Sequence, residues 1–259
     1  MNKFFIAVAN HTPISKKSSE KYYYNILAGA DNKVNSETDI SLYSFYDYFD
    51  NEGINISYRN KYYCELTVIY WMWKNIKDAE YYGLVHYRRI FTGPKAQKLY
   101  ISSLDFDILL PKAKNYFPFN VLQHYSVSHY KSDLEILRKI ISEKFPEYSF
   151  ALEETLNSNK LHLYNMFIMR KEYFNDYSSW LFAILEEAYG YDLHLNRSHY
   201  QSRVYGFLGE RLFNVWLVKK MKENKLNIIY RDVKELNTNS RFVRGVEWLL
   251  RLFKVIEKK

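Results

Sequence analysis

Residues 81–91 constrain the chain most. Tyr82-Gly83-Leu84-Val85 is a short apolar run, and it ends at His86-Tyr87-Arg88-Arg89. An uninterrupted apolar run of this length marks a strand buried on both faces, as in parallel sheets covered by helices. In open α/β sheets, ligands sit where strands end. A histidine and two arginines there suit an anion, most simply a phosphate or diphosphate, because guanidinium forks match phosphate oxygens in pairs. Surface charges flanking an ordinary strand are the alternative that this stretch alone leaves open.

Similar elements recur on both sides. Residues 3–9 read as a buried first strand, followed by the loop Asn10-His11-Thr12-Pro13. His11 is a candidate nucleotide contact or a plain loop residue. Residues 22–30 form a second short strand leading to a glycine turn, and 31–53 read as polar loop with room for one short helix. Residues 57–77 are expected to be one helix, with Leu66, Ile69, Tyr70 and Trp73 at helical spacing and Asn60 as its N-cap. Glu65 lies one turn before Ile69 on that stripe, so it is either partnered, at the helix edge or in contact with a ligand. Residues 106–111 are a further strand opened by Asp105-Phe106-Asp107, a D-x-D.

His124, Tyr125, His129 and Tyr130 cluster before a helix at 132–144 whose Asp133, Glu135 and Lys139 should face outward. The two histidines are five apart, which is not metal-ligand spacing on a helix, so they read as pocket or acceptor-side residues. Residues 162–169 are a strand interrupted by one amide, Asn165, which must find partners or face a ligand. Helices are expected at 153–157 and 173–189. In Arg203–Leu212, Gly206 and Gly209 precede an acidic helix start, with Glu210 in the first turn, where the helix dipole favours it. A last strand falls at 225–233. Strands alternating with helices give an α/β fold, a mostly parallel central sheet flanked by helices.

Composition narrows the function. A formal charge of +8 points to nucleic acid, an anionic membrane or a phosphorylated small molecule. The positive charge is dispersed and carries no nucleic-acid fold signature, so no nucleic-acid partner is expected. No Walker, Rossmann or G-x-S-x-G motif is present. The single cysteine, Cys64, excludes an internal disulfide and fits a reducing cytosol. No signal peptide and no membrane span are visible. Residues 239–259 differ in character. Arg244, Glu247, Arg251, Lys254 and Lys258 line one helical face and Val246, Leu249, Leu250, Phe253 and Ile256 the other, which reads as a basic amphipathic helix on an anionic membrane or docked on the domain.

One set of blocks is specific in combination. Asn60-x4-Glu65-Leu66-Thr67-x2-Tyr70-Trp71-x-Trp73-Lys74-Asn75 is followed by Tyr82-Gly83-Leu84-Val85-His86-Tyr87-Arg88-Arg89-x-Phe91. Later come Asp107–Pro111, Asn165–Met169 and Arg203-x2-Gly206-Phe207-x2-Glu210-Arg211-Leu212. Over residues 3–235 the chain resembles the capsular and exopolysaccharide glycosyltransferases that carry a domain of unknown function. It departs from them at Asn10-His11-Thr12, where the family pattern has His-Lys.

The resemblance implies a GT-A-like domain over residues 1–238, with 239–259 as a tether. It implies a hexosyltransferase, inverting and metal-independent, that uses a nucleotide-sugar donor, UDP-galactofuranose being one candidate. The implied acceptor is a lipid-linked or oligosaccharide capsular, exopolysaccharide or O-antigen chain. The enzyme would be cytoplasmic, at the inner face of the membrane. Arg88, Arg89, His86 and Arg203 would bind the donor diphosphate, and His11, Asn60 and Glu65 the nucleotide. Glu210 would be the base, assisted by His86. His124, His129, Asn165 and Arg211 would line the acceptor side. No cofactor is implied, since fixed cations stand where relatives of the GT-A class carry D-x-D; the alternative is Mg²⁺ or Mn²⁺ on Asp105 and Asp107. A non-catalytic nucleotide-sugar or polysaccharide-binding subunit is the other reading.

Overall fold

The computed structural model describes residues 2–15, 18, 20–34, 40–96 and 98–236. The expected helix at 239–259, and the membrane contact read from it, lie outside these residues. Among the described residues, no helix is long and apolar enough to cross a membrane.

Strand β1 (Asn2–Asn10) pairs in parallel with β2 (Tyr23–Leu27) on one side and β4 (Ala79–His86) on the other. β2 in turn carries β3 (Tyr48–Phe49). Beyond β4 the sheet changes character. β9 (Phe167–Arg170) is antiparallel to β4 and to β6 (Ile108–Pro111), and β10 (Ile228–Glu235) is parallel to β6. β5 (Arg89–Thr92) is antiparallel to β10 and returns to β4 through a tight turn, with His86 opposite Arg89. These pairings close a ring of five strands, β4-β5-β10-β6-β9. The sheet is therefore parallel in its first half and mixed in its second, rather than mostly parallel.

Period-two alternation on β1 explains its unbroken apolar character. Phe5, Ala7 and Ala9 join the main core, with α2 (Leu66–Asn75), α6 (Lys171–Tyr189) and α7 (Val204–Glu223). Phe4 and Ile6 face the other way, against Tyr81, Val85, Phe91, Ile101 and Phe106. That second face is covered by a strand and loops instead of the expected helical layer. Much of the aromatic surplus fills the core: Tyr82 stacks on Phe174 with centroids 4.5 Å apart.

The helix expected at 57–77 is broken. After α1 (Asn60–Tyr63), Cys64 adopts φ 53°, ψ −134°, and Glu65 opens α2. Asn60 is not a cap; its amide donates to the Cys64 carbonyl (2.8 Å) and the Thr67 hydroxyl (3.1 Å), bridging the break. α7 begins at Val204, so Gly206 and Gly209 lie inside it and Glu210 lies beyond its first turn. A Cβ at Gly206 would stand 3.0 Å from Cys64 Sγ, and one at Gly209 2.7 Å from Leu66 Cδ1. The two glycines thus let α7 lie directly on the junction between α1 and α2. In the helix α4 (Lys131–Lys144), Asp133 is buried rather than outward; Arg197 (2.6 Å) and the Tyr125 hydroxyl (2.9 Å) bind its carboxylate.

Asp50, just after β3, is fully buried and ties this half of the molecule together. Its carboxylate accepts from the backbone N–H groups of Gly29 (2.8 Å) and Ala30 (2.9 Å), and from the hydroxyls of Ser57 and Thr67 (2.6 Å). Removing a buried anion strands four donors at once. Asp50→Ala should lower the unfolding free energy by roughly 3 kcal/mol or more, measured as a shifted urea midpoint; an unchanged midpoint would contradict this role.

Candidate active site at the ends of β1 and β4

Chain order reverses between β1 and β4: β2 and β3 lie on one side of β1, and β4 on the other. The carboxyl ends of the strands at such a reversal leave a crevice where α/β proteins bind ligands. Ala9 pairs with His86, so the loops carrying His11 and Tyr87-Arg88 leave the sheet side by side. The Tyr87 hydroxyl lies 3.3 Å from His11 Nε2, and the two rings meet edge to face at 5.0 Å. Desolvation, followed by the positive charges of Lys33, Arg88 and Arg203 and by His86, holds His11 below its ordinary value of 6.5. The crevice therefore gathers five basic side chains drawn from four separate parts of the chain.

Two of the cations, Arg88 and Arg203, form no ion pair among the described residues. Arg88 is exposed, makes no ion pair among the described residues, and lies 4.7 Å from the Tyr87 ring. Arg203, at the start of α7, donates from Nε to Cys64 Sγ at 3.0 Å. Burial pushes that thiol up to about 11, so it stays protonated and does not cancel the guanidinium charge. Arg89 behaves differently. As the first residue of β5 it turns away to Glu235 (3.4 Å), and its guanidinium lies 4.1 Å over the Tyr164 ring. The adjacent arginines are thus divided, one in the crevice and one supporting its wall.

That wall is the pair Tyr164-Asn165, both left-handed at φ 74° and 51°. Here the expected strand at 162–169 is interrupted, and β9 starts only at Phe167. His86 Nε2 donates to the Tyr164 carbonyl (2.7 Å), and the Tyr164 N–H donates to Glu210 Oε1 (2.7 Å). Asn165 donates through Nδ2 to Glu65 Oε1 (2.7 Å), while its buried Oδ1 has no hydrogen-bond partner. Glu210 also accepts from Arg211 Nη1 (2.9 Å), and Arg211 is buried against Tyr125. Two carboxylates, Glu65 and Glu210, therefore flank one strained corner beside the cation cluster.

The other expected site residues separate. His129 is buried, with Nδ1 3.1 Å from Gln201 Oε1 and its ring 4.0 Å from Phe207, inside the helical packing. His124 lies on the helix α3 (Val121–Ser128), which the sequence did not signal, 3.9 Å from Tyr116; burial pushes it down to about 3. Asp105 and Asp107 lie near the amino end of β4, since Arg170 pairs both (3.2 and 3.1 Å) and sits opposite Tyr81. Asp107 also accepts from the Asn227 N–H (2.8 Å). The D-x-D is thus committed to ion pairing at the opposite end of the sheet. A divalent cation does not fit the basic side chains at the end of β4. Lys33 and Asp50 were missed by sequence reasoning, having fallen in a stretch read as featureless loop.

This arrangement sets a cluster of basic side chains at a reversal of strand order, the place where α/β proteins carry their ligand sites. Residues 5–222 match the family model DUF4422, a domain of unknown function, and the chain belongs to that family. A solved structure, the apo form of the WbbM bifunctional glycosyltransferase, resembles it with TM-score 0.79 and 28% identity, over 92% of this chain and 46% of that one. This chain therefore spans less than half the length of that protein. No curated protein matches the chain.

The cation cluster sets a pH expectation. In the free protein the His11 imidazole should titrate below 6.5, since the folded state opposes its protonation. As pH falls through that range the unfolded chain takes up a proton first, so this group's contribution to stability is lost on acidification. Pyrophosphate in the crevice should raise the His11 pKa, and its affinity should rise as pH falls. Titration of the His11 Cε1–H resonance by NMR, with and without pyrophosphate, checks both; an unmoved pKa would place the anion elsewhere.

Proposed function

We propose that the chain is an inverting, metal-independent glycosyltransferase that moves a sugar from a nucleotide-sugar donor to a glycan acceptor. The observation that carries this reading is the cluster of Arg88, Arg203, His11, Lys33 and His86 beside the Glu65 and Glu210 carboxylates. The proposed donor is a UDP-sugar, with UDP-galactofuranose the candidate, and a capsular, exopolysaccharide or O-antigen chain is the candidate acceptor. The likeness to a bifunctional glycosyltransferase supports the reaction class.

In this mechanism Glu210 takes the proton from the acceptor hydroxyl, whose oxygen attacks the anomeric carbon. The bond from that carbon to the donor phosphate oxygen breaks as the new one forms, and the nucleoside diphosphate departs. Arg88 and Arg203 meet the charge that accumulates on the leaving diphosphate. Both oxygens of Glu210 already accept a hydrogen bond, which fixes the carboxylate while each oxygen keeps a further lone pair for the acceptor. His86 holds the Tyr164 carbonyl and so sets the corner from which Tyr164 positions Glu210.

Glu210→Gln should reduce turnover about 100-fold or more, as for loss of a general base, while UDP binding by calorimetry stays within twofold. Arg88→Ala should instead weaken UDP about tenfold, the loss of a charge-assisted contact of roughly 1.5–3 kcal/mol. Turnover should survive EDTA; loss of activity restored by Mn²⁺ would defeat the metal-free reading. Donor binding without turnover on any glycan acceptor would leave a non-catalytic binding subunit.

A further inference from the structure

A second cleft, of about 540 Å³, opens beside the carboxyl end of β6. Because β6 and β4 are both antiparallel to β9, this end faces the same edge of the sheet as His86. The cleft lies between α7, the end of α5 (Ser149–Asn157) and the segment 160–162, and none of the steps above uses it.

Three features point to a hydroxyl-rich ring. Thr155 lines the cleft; its side chain is buried, 3% exposed, and its hydroxyl has no hydrogen-bond partner. A buried hydroxyl without a partner is costly and calls for one from protein, water or a bound group. Tyr230 stacks one face on His162 at 5.4 Å, with planes 11° apart, and keeps 40% exposure, so its ring offers an open flat surface to the cleft. Such a face is apolar and suits the C–H face of a sugar. Lys160 lines the rim and makes no ion pair among the described residues, leaving an ammonium donor for ring hydroxyls or an acidic sugar.

The cleft lies along the same face of α7 as Glu210. Glu210, Asn214, Leu217 and Met221 recur at three- and four-residue spacing, so they lie along one face of α7. The last three line the cleft. Leu217 stands about 10 Å along the axis from Glu210, seven residues at roughly 1.5 Å each. Asn214 forms the partition: it accepts from His162 N–H (2.9 Å) and donates to the His162 carbonyl (2.9 Å) and the Glu210 carbonyl (2.8 Å).

We propose that this cleft is a distal subsite for the acceptor glycan, holding sugar residues behind the one that receives the transferred sugar. It rests on the transferase reading above. Contacts there add binding energy remote from the reacting bond, which makes catalysis sensitive to acceptor length.

Methionine-methyl ¹³C labelling gives a direct test, with the Met221 signal assigned by its loss in Met221→Leu. Maltose, lactose and cellobiose are titrated in turn, with hexyl phosphate and UDP as separate arms. At least one disaccharide should shift the Met221 methyl, and Thr155→Val and Tyr230→Ala should each weaken it fivefold or more. No shift with any of the three, a shift with hexyl phosphate alone, or equal affinity in both variants overturns the subsite. UDP should leave Met221 unmoved while binding in an Arg88-dependent way. Failure of UDP to bind sinks the transferase reading, and a surviving disaccharide shift would still locate a glycan in this cleft.

Discussion

Two consecutive left-handed residues, Tyr164 and Asn165, sit where four elements of the molecule converge. Non-glycine residues in that region cost of order 1–3 kcal/mol each and persist only where their surroundings hold them. Here four contacts hold the corner. The end of β4 holds the Tyr164 carbonyl, α7 holds its N–H through Glu210, Arg89 covers its ring, and the start of α2 holds Asn165 through Glu65. Asn165 Oδ1 is buried and has no hydrogen-bond partner. The strain is stored where the chemistry is expected, and two helices and two strands maintain it together.

Charge is arranged around this corner with a clear division. Cations collect on the β1 and β4 side, and carboxylates on the side of α2 and α7. Arg203 stands at the boundary, yet its Nε is bonded to a neutral thiol and not to an acid. A carboxylate in that position would have consumed the charge. Cys64 instead fixes the guanidinium without neutralising it, and its own strained backbone is what brings the sulfur there.

The strands were legible in the sequence because burial on both faces writes an apolar run, as in residues 3–9 and 82–85. The placement of His86 and Arg88 at a strand end followed from the same run. What escaped were features set by distant partners. Arg88 and Arg89 look equivalent in the chain, and only Glu235, 146 residues later, separates them. Asp133 has helix-surface spacing, but Arg197 and Tyr125 draw it inward. Gly206 and Gly209 read as preceding a helix until the close approach of α7 to Cys64 and Leu66 shows why they lie inside one. Asp50 gave no local signal at all, since its four donors come from three other segments.

α7 carries Arg203 at its beginning and Glu210 two turns further on. Their spacing is thus written in backbone pitch, about 10 Å along the axis, and no loop motion can stretch or shorten it. If the proposed roles hold, a descendant that took a bulkier transferred sugar could not widen the gap between the proposed phosphate grip and proton acceptor by remodelling a turn. It would have to tilt an entire rod whose glycine-lined flank already touches its neighbour, or recruit a different side chain. Under that proposal a rigid ruler gauges donor size, and diversification within the fold should fall on the residues facing it.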